Sequence, residues 1–303
     1  MMKMNPILAE MKENILKWAY EHDDIRLVIV VGSRARSEHP GSELSDLDLL
    51  IFTDNQECYL SSQDWIARFG TVLFVEKAIS PGPRQEPELM VLYDNFQGVD
   101  FVLLPAGVIQ QMNPEQALPE IFLRGFEVWV DKDDVTALLT SLADAQKQNI
   151  FRPKKPSQEE FTHVIRSFLF CAYYIGRVLY QNDLWIAKIR EHDLRGDLLK
   201  MMEWHARSKH DWSLDVWHTG KYIETWAEKP VLVRLPKIFA GYEKVPSQIA
   251  LEECVQLFET MVYEVAEAGD YSLDAIVFEK TKLFLESTRN NISYASRGRL
   301  RQC

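Results

Sequence analysis

Residues 26–52, RLVIVVGSRARSEHPGSELSDLDLLIF, constrain the fold more than any other stretch of this chain. They comprise an apolar run, a Gly-Ser pair, a polar segment of twelve residues, and a second apolar run that opens with Asp46 and Asp48. Short apolar runs bounded by turn residues are typical of buried strands. We therefore predict two strands of one buried sheet, joined through a Gly-Ser turn and a polar loop.

The two acidic residues at the start of the second run share one face of a strand. Side chains i and i+2 leave a strand on the same side, roughly 6.5 to 7 Å apart, so Asp46 and Asp48 project together. Two like charges this close are unfavourable unless a cation lies between them, and Mg²⁺ binds one or two carboxylates together with substrate phosphates. The pair therefore predicts a magnesium site, although a surface Asp pair on an ordinary strand has the same spacing.

The Gly-Ser pair suits a phosphate. Gly32 allows a sharp turn and a close approach to a ligand, and residues such as Ser33 that open a helix present free N–H groups to an anion. Arg34 follows directly, where it either contacts phosphate or pairs with a nearby acid. A metal on one strand and a phosphate at the neighbouring turn describe a site for a nucleoside triphosphate.

Asp100 is a third candidate carboxylate. It interrupts the apolar run 99–104, VDFVLL, and a buried charge without a partner is costly. It must therefore be paired, neutral, at a sheet edge, or a metal ligand. Beside a sheet that displays two further acids, the metal-ligand interpretation is favoured over a solvent-facing Asp at a hairpin end. Glu76 and Asp94 compete more weakly for the same role.

The chain length of 303 residues predicts two domains. Residues 1–150 mix strand and helix patterns. Residues 151–156, FRPKKP, then interrupt both periodicities, and an S-x-x-E capping box at Ser157 and Glu160 precedes a long apolar stripe. We predict an α+β chain, with a helical bundle over residues 151–288 and a flexible polar tail over 289–303.

Charge is spread unevenly along the chain, whose net charge is −11. Residues 1–150 contain 12 Lys and Arg against 24 Asp and Glu, whereas the remainder contains 22 against 21. A nucleic-acid-binding protein presents a basic face, so this distribution disfavours a nucleic-acid partner. It favours a small cation, although acidity is also common in soluble proteins.

Several other classes find no support in the sequence. No run reaches the 18 or more apolar residues that suggest a transmembrane helix, and the start carries acids in place of a signal peptide. We therefore expect a cytoplasmic protein without a membrane partner. The four cysteines form no CxxC or Cys-His pattern that would indicate a disulfide framework or a zinc site.

An apolar residue, Gly-Ser, a spacer of this length and Asp-x-Asp between apolar residues resemble the signature of the DNA polymerase beta-like nucleotidyltransferase superfamily. Within it, the order of DWIARFGTVLFVEK, VDF, KKPSQEEF and HTGKYIETW is similar to the aminoglycoside 6-adenylyltransferase (streptomycin adenylyltransferase) family. That resemblance implies an N-terminal nucleotidyltransferase domain with a mixed sheet and flanking helices, and a helical C-terminal domain. It also implies a role in antibiotic resistance.

The resemblance further implies transfer of AMP from ATP to a streptomycin hydroxyl, with Mg²⁺. Asp46, Asp48 and Asp100 then correspond to the catalytic, metal-binding carboxylates, and Lys221 to a lysine that reaches the triphosphate beside the phosphate turn. Two Mg²⁺ ions, about 3.5 to 4 Å apart, would bind the triphosphate and activate the acceptor hydroxyl. Asp100 would take up the proton of that hydroxyl.

The acceptor is expected in a cleft between the domains, with Asp183 and Trp185 as candidate acceptor-binding residues. Two other classes stay open at this point. One is a nucleotidyltransferase that modifies RNA, tRNA or a protein, and the other is a non-catalytic, antitoxin-like binding module.

Overall fold

The computed structural model describes residues 6–82, 84–110, 118–146 and 154–299. The chain divides into two compact units, Met1–Ile150 and Phe151–Cys303. Within the described residues, no helix is both long enough and apolar enough to cross a bilayer.

The first unit is built on a six-stranded mixed sheet with the strand order β3-β4-β5-β2-β1-β6. Its strands are β1 (Ile25–Val31), β2 (Leu47–Thr53), β3 (Val72–Ile79), β4 (Pro87–Tyr93), β5 (Gly98–Pro105) and β6 (Glu127–Asp131). Strands β2 and β5 are parallel, and every other neighbouring pair is antiparallel. The predicted mixed sheet is confirmed.

Helices cover parts of both faces of this sheet. The helices of the unit are α1 (Pro6–Glu21), α2 (Gln56–Ser61), α3 (Gly107–Gln110), α4 (Glu120–Leu123) and α5 (Thr136–Gln146), with 3-10 turns at Gly32–Arg34 and Ile66–Phe69. One face packs on α1, where Trp18 stacks on Trp65 with ring centroids 5.0 Å apart. The other face packs on α4 and α5. Strand β1 is buried because its side chains alternate between these two cores.

The structure differs locally from the predicted elements of this unit. Strand β2 begins at Leu47, so Asp46 lies just before the strand. Residues 61–69 contain the last residue of α2 and the 3-10 turn at Ile66–Phe69. Trp65, between these two elements, packs in the α1 core.

The second unit is helical, as predicted. Its helices are α6 (Gln158–Tyr180), α7 (Leu184–Ser208), α8 (Ile223–Trp226), α9 (Lys229–Arg234), α10 (Lys244–Gly269) and α11 (Ile276–Arg299), with 3-10 turns at His218–Gly220 and Leu235–Ile238. The capping box is confirmed, because Ser157 and Glu160 each bond the backbone of the other. The long helices pack around a core in which Phe168 stacks on Phe258.

Two features of the second unit were not predicted. Helix α9 has a proline in its first turn, a place where proline is tolerated because the N–H group it lacks has no partner in the helix. Helix α11 continues through Arg299, where the sequence predicted a polar tail from Arg289. This segment has no proline, and Arg289 forms an ion pair of 2.7 Å with Glu252 on α10, so the helix can extend beyond its apolar stripe.

Candidate active site

Two of the three predicted carboxylates lie side by side on neighbouring strands. Asp48 on β2 and Asp100 on β5 are partners in the parallel register, so their side chains leave the same face of the sheet. Both residues are half-buried. Asp48 also pairs with Val31, which packs against the α4 and α5 core. The carboxylates of Asp48 and Asp100 therefore lie on the same face of the sheet as α4 and α5, which cover another part of that face.

Asp46 approaches the same position from the loop that precedes β2. It is exposed, and its carboxylate lies against Gly98 at the start of β5, since a Cβ atom on Gly98 would be only 2.3 Å from Asp46 Oδ1. Burial raises the pKa of Asp100, and the negative charge of Asp46 raises it further. The structure thus brings Asp46, Asp48 and Asp100 together at one end of the β2–β5 pair.

Gly32 places the Gly-Ser turn directly beside Asp48. Its φ angle is +69°, a conformation that favours glycine, and a Cβ atom there would be 2.1 Å from Asp48 Oδ2. The turn forms a single 3-10 helix over Gly32–Arg34, and Ser33 accepts a 2.7 Å hydrogen bond from the Gly41 backbone through its carbonyl oxygen. The Gly-Ser turn and the Asp48 carboxylate are therefore adjacent.

Arg34 contacts the polar loop through backbone carbonyls. Its Nε donates to the Ser45 carbonyl at 3.1 Å, and its Nη2 donates to the Glu43 carbonyl at 3.2 Å. Burial lowers the pKa of Arg34, whereas the charges of Asp46 and Asp48 raise it. Its Nη1 group makes no hydrogen bond to a residue that the structure describes. Among the described residues, the hydrogen bonds of Arg34 thus go to backbone carbonyls and to the Gln97 amide and none goes to a carboxylate, whereas the alternative of a phosphate contact stays a prediction.

Glu88 is an acidic residue of this face that sequence reasoning missed. On β4, Met90 pairs with Asp100 and Glu88 pairs with Val102, so Glu88 is a diagonal neighbour of Asp100, on the same face and roughly 7 to 8 Å away. Burial raises the pKa of Glu88, and the charge of Asp100 raises it further. The sequence feature that could have identified Glu88 is a lone acid in an otherwise apolar strand, the same feature that identified Asp100.

The donor set of this site consists of carboxylate oxygens, which hard cations such as Mg²⁺ prefer. Among the described residues, no three or more His, Cys, Asp or Glu side chains are spaced to hold a metal ion by themselves. Mg²⁺ commonly completes its coordination with water and substrate phosphates instead of an all-protein cage. The carboxylate donors of this site are thus of the type that Mg²⁺ binds together with substrate phosphates, and the assignment of Asp46, Asp48 and Asp100 as its ligands stays a prediction.

The remaining predicted residues belong to the second unit. Asp183 occupies the position before α7 without capping it through its side chain, and Trp185 is 65% exposed and meets the Tyr242 ring edge-on, with centroids 6.4 Å apart. Lys221 is exposed, and its carbonyl accepts a 2.9 Å hydrogen bond from Trp226 Nε1. The predicted contacts of these residues with nucleotide and acceptor stay predictions.

Comparison with known proteins identifies the family of this chain. The sequence profile of the streptomycin adenylyltransferase family matches residues 7–288. Aminoglycoside 6-adenylyltransferases from Campylobacter jejuni and Bacillus subtilis are 22% and 24% identical, over 86% of this chain in each case and over 89% and 91% of those proteins. A crystal structure of an aminoglycoside 6-adenyltransferase from Bacillus subtilis is 18% identical, with a TM-score of 0.43, covering 94% of this chain and 99% of that chain. The resemblance noted in the sequence is confirmed: the chain belongs to the streptomycin adenylyltransferase family, as a nucleotidyltransferase of the aminoglycoside adenylyltransferase type.

Proposed function

We propose that the protein transfers AMP from ATP to a hydroxyl group of a streptomycin-like aminoglycoside and releases pyrophosphate, with two Mg²⁺ ions. The observation that carries the proposal is the register of Asp48 beside Asp100, with the Gly32 turn against the Asp48 carboxylate and the Asp46 carboxylate against β5. This arrangement combines oxygen ligands for a metal with a tight turn for phosphate. Family membership independently supports a nucleotide and an aminoglycoside as substrates.

The nucleotide end of the site uses residues of the β1–β2 stretch. Bound Mg²⁺ would neutralise the triphosphate and lower the pKa of the acceptor hydroxyl. Asp46 and Asp48 hold the metal, and the backbone of Gly32 and Ser33 receives the phosphates. Arg34 Nη1, which has no hydrogen-bond partner in the described part of the chain, would donate to them. Lys221 remains a candidate for contact with the triphosphate and the leaving pyrophosphate.

Proton uptake from the acceptor hydroxyl is assigned to Asp100, which also ligates metal. Asp100 is paired with Asp48 in the β2–β5 register, which places its carboxylate next to the proposed metal site, where it can accept the proton of a hydroxyl group bound there. Transfer would therefore proceed by direct attack of the deprotonated hydroxyl on the α-phosphorus, with pyrophosphate leaving on the opposite side.

The acceptor end is supported by an acidic, partly apolar strip of the sheet that continues from Asp100. Strand pairing places Glu88 and Met90 on β4, then Glu76 and Phe74 on β3, on the face of Asp100. Met90 is 38% exposed and Phe74 is 58% exposed. Acids over an accessible apolar surface suit a sugar-based polycation.

Asp183 and Trp185 of the second unit are further candidates for binding the acceptor. Asp183 provides a further carboxylate for an ammonium or guanidinium group. Trp185 presents an exposed ring on which such a group can lie.

The test is release of pyrophosphate by the purified protein with ATP and Mg²⁺ across a panel of aminoglycosides, RNA, tRNA and proteins. The proposal predicts release with streptomycin-like compounds, little with the polymers, and none when Asp48→Asn replaces the wild type. Release with RNA or tRNA alone would favour a polymer-modifying enzyme. Absence of release with every acceptor would reject the catalytic proposal in favour of a binding module.

A further inference from the structure

Gln97 lies in the turn between β4 and β5, where every polar group of its side chain is engaged. The residue is only 7% exposed. Its Nε2 donates to the Gly98 carbonyl at 2.7 Å and to the Ser45 carbonyl at 3.3 Å, and its Oε1 accepts from Arg34 Nη2 at 3.4 Å. A buried amide that is fully satisfied in this way holds its neighbours in one arrangement.

The contacts of Gln97 and Arg34 converge on the residue immediately before Asp46. The Ser45 carbonyl accepts from Gln97 Nε2 and from both Nε and Nη2 of Arg34. Arg34 Nε also lies 3.4 Å from the Asp46 carbonyl. Three segments are joined here: the turn after β1, the loop before β2 and the turn before β5.

Asp46 needs such support more than the other two carboxylates do. Asp48 and Asp100 sit within paired strands, whereas Asp46 precedes β2 and is exposed. The charges of Asp46 and Asp100 repel each other, which favours movement of the loop away from β5. The contacts of Gln97 oppose that movement because they tie the loop backbone to the first residue of β5.

We infer that Gln97 is a positioning residue, which together with Arg34 holds the Asp46 carboxylate in place to bind the metal of the adenylyl-transfer site. Gln97 itself touches neither metal nor substrate in this account. The inference rests on the proposed function. Removal of a residue that orients a metal ligand typically costs about 10- to 100-fold in metal affinity or activity.

The test substitutes Gln97→Met, which keeps the length of the side chain and removes its hydrogen bonds. Gln56→Met is the matched control, since Gln56 Nε2 donates a 2.7 Å hydrogen bond to the Leu103 carbonyl, near the opposite end of β5. Binding of Mn²⁺ in the presence of a non-hydrolysable ATP analogue is measured by electron paramagnetic resonance, alongside kcat, acceptor KM and thermal unfolding of the full chain. We expect Gln97→Met to weaken Mn²⁺ binding and to lower kcat at least about 10-fold each, with acceptor KM little changed. Gln56→Met should leave Mn²⁺ binding and kcat within about twofold of wild type.

A second variant, Gln97→Glu, decides the matter if Gln97→Met fails to fold. The added negative charge would by itself strengthen Mn²⁺ binding, so weaker binding can arise only from the lost Nε2 donors. Unchanged Mn²⁺ binding and kcat in a folded Gln97 variant would overturn the inference while leaving the proposed function intact. An equal loss in Gln56→Met would also overturn it. Wild-type protein that neither binds Mn²⁺ with the ATP analogue nor transfers AMP would overturn both.

Discussion

Gly98→Ala probes how closely the Asp46 carboxylate must approach β5. The new Cβ atom would lie 2.3 Å from Asp46 Oδ1 and 3.1 Å from Asp46 Cγ. A carbon and an oxygen atom in ordinary contact are roughly 3.4 Å apart, so the carboxylate oxygen has to move about 1 Å. Misplacement by about 1 Å in a reacting arrangement can reduce the rate about 100-fold, which corresponds to about 2.7 kcal/mol of activation free energy.

The free energy of unfolding should change much less than the activation free energy. Asp46 is exposed, so its carboxylate can swing into solvent instead of straining the backbone. The φ angle of Gly98 is not positive, so alanine can adopt the same backbone conformation. Alanine also restricts the unfolded chain, which raises the free energy of unfolding by about 0.4 to 1 kcal/mol. We therefore expect a nearly unchanged free energy of unfolding alongside the large loss of turnover.

The assay compares steady-state pyrophosphate release and urea unfolding of Gly98→Ala with those of Gly107→Ala. A Cβ atom on Gly107 meets no heavy atom within 4 Å, so this control adds the same methyl group to the same unit without touching a carboxylate. Gly107→Ala should retain wild-type turnover. Turnover of Gly98→Ala within about threefold of wild type would refute the claim that Asp46 must lie against β5.

Three further predictions address charge at the site and beyond it. Asp48→Asn should lower kcat more than about 100-fold, since it removes a metal ligand; a variant that keeps a tenth of wild-type turnover would contradict the assignment. Glu88→Gln should raise KM for a cationic acceptor and leave KM for ATP unchanged, as measured by varying each substrate in turn, and equal changes in both would argue against an acceptor role. Burial opposes the ionisation of Asp131, yet hydrogen bonds from Thr136 and its neighbours hold its pKa below the usual value. Asp131→Asn should therefore lower the free energy of unfolding by about 1 kcal/mol at pH 7. This difference from wild type should fade as the pH falls through the lowered pKa of Asp131, which urea unfolding at several pH values would measure. A difference that does not depend on pH would exclude a contribution from the ionised carboxylate.

Local patterns in the sequence were sufficient to predict the central part of the site. The apolar runs, Gly32 and the Asp46–Asp48 spacing are all features of one short stretch. Asp100 was found because a lone acid in an apolar run demands an explanation, and the parallel β2–β5 register places it beside Asp48. The same reasoning applied to β4 would have identified Glu88.

Residues that act through the backbone could not be predicted in this way. Gln97 and Gly98 are ordinary turn residues in the sequence, and their importance depends on how the 42–46 loop lies against β5. Arg34 was expected to bind phosphate or an acidic side chain; the first alternative stays a prediction, and within the described residues Arg34 donates to backbone carbonyl groups, which every residue possesses. No residue pattern identifies such acceptors, because only the tertiary fold brings them within reach.

The most direct test of the account is mass spectrometry of streptomycin after incubation with ATP, Mg²⁺ and either the wild-type protein or Asp48→Asn. We predict that the wild-type protein adds one adenylyl group to streptomycin and that pyrophosphate appears in equal amount, whereas Asp48→Asn yields unmodified antibiotic. Transfer of a phosphoryl group in place of AMP, no modification by the wild-type protein, or full modification by Asp48→Asn would contradict the account.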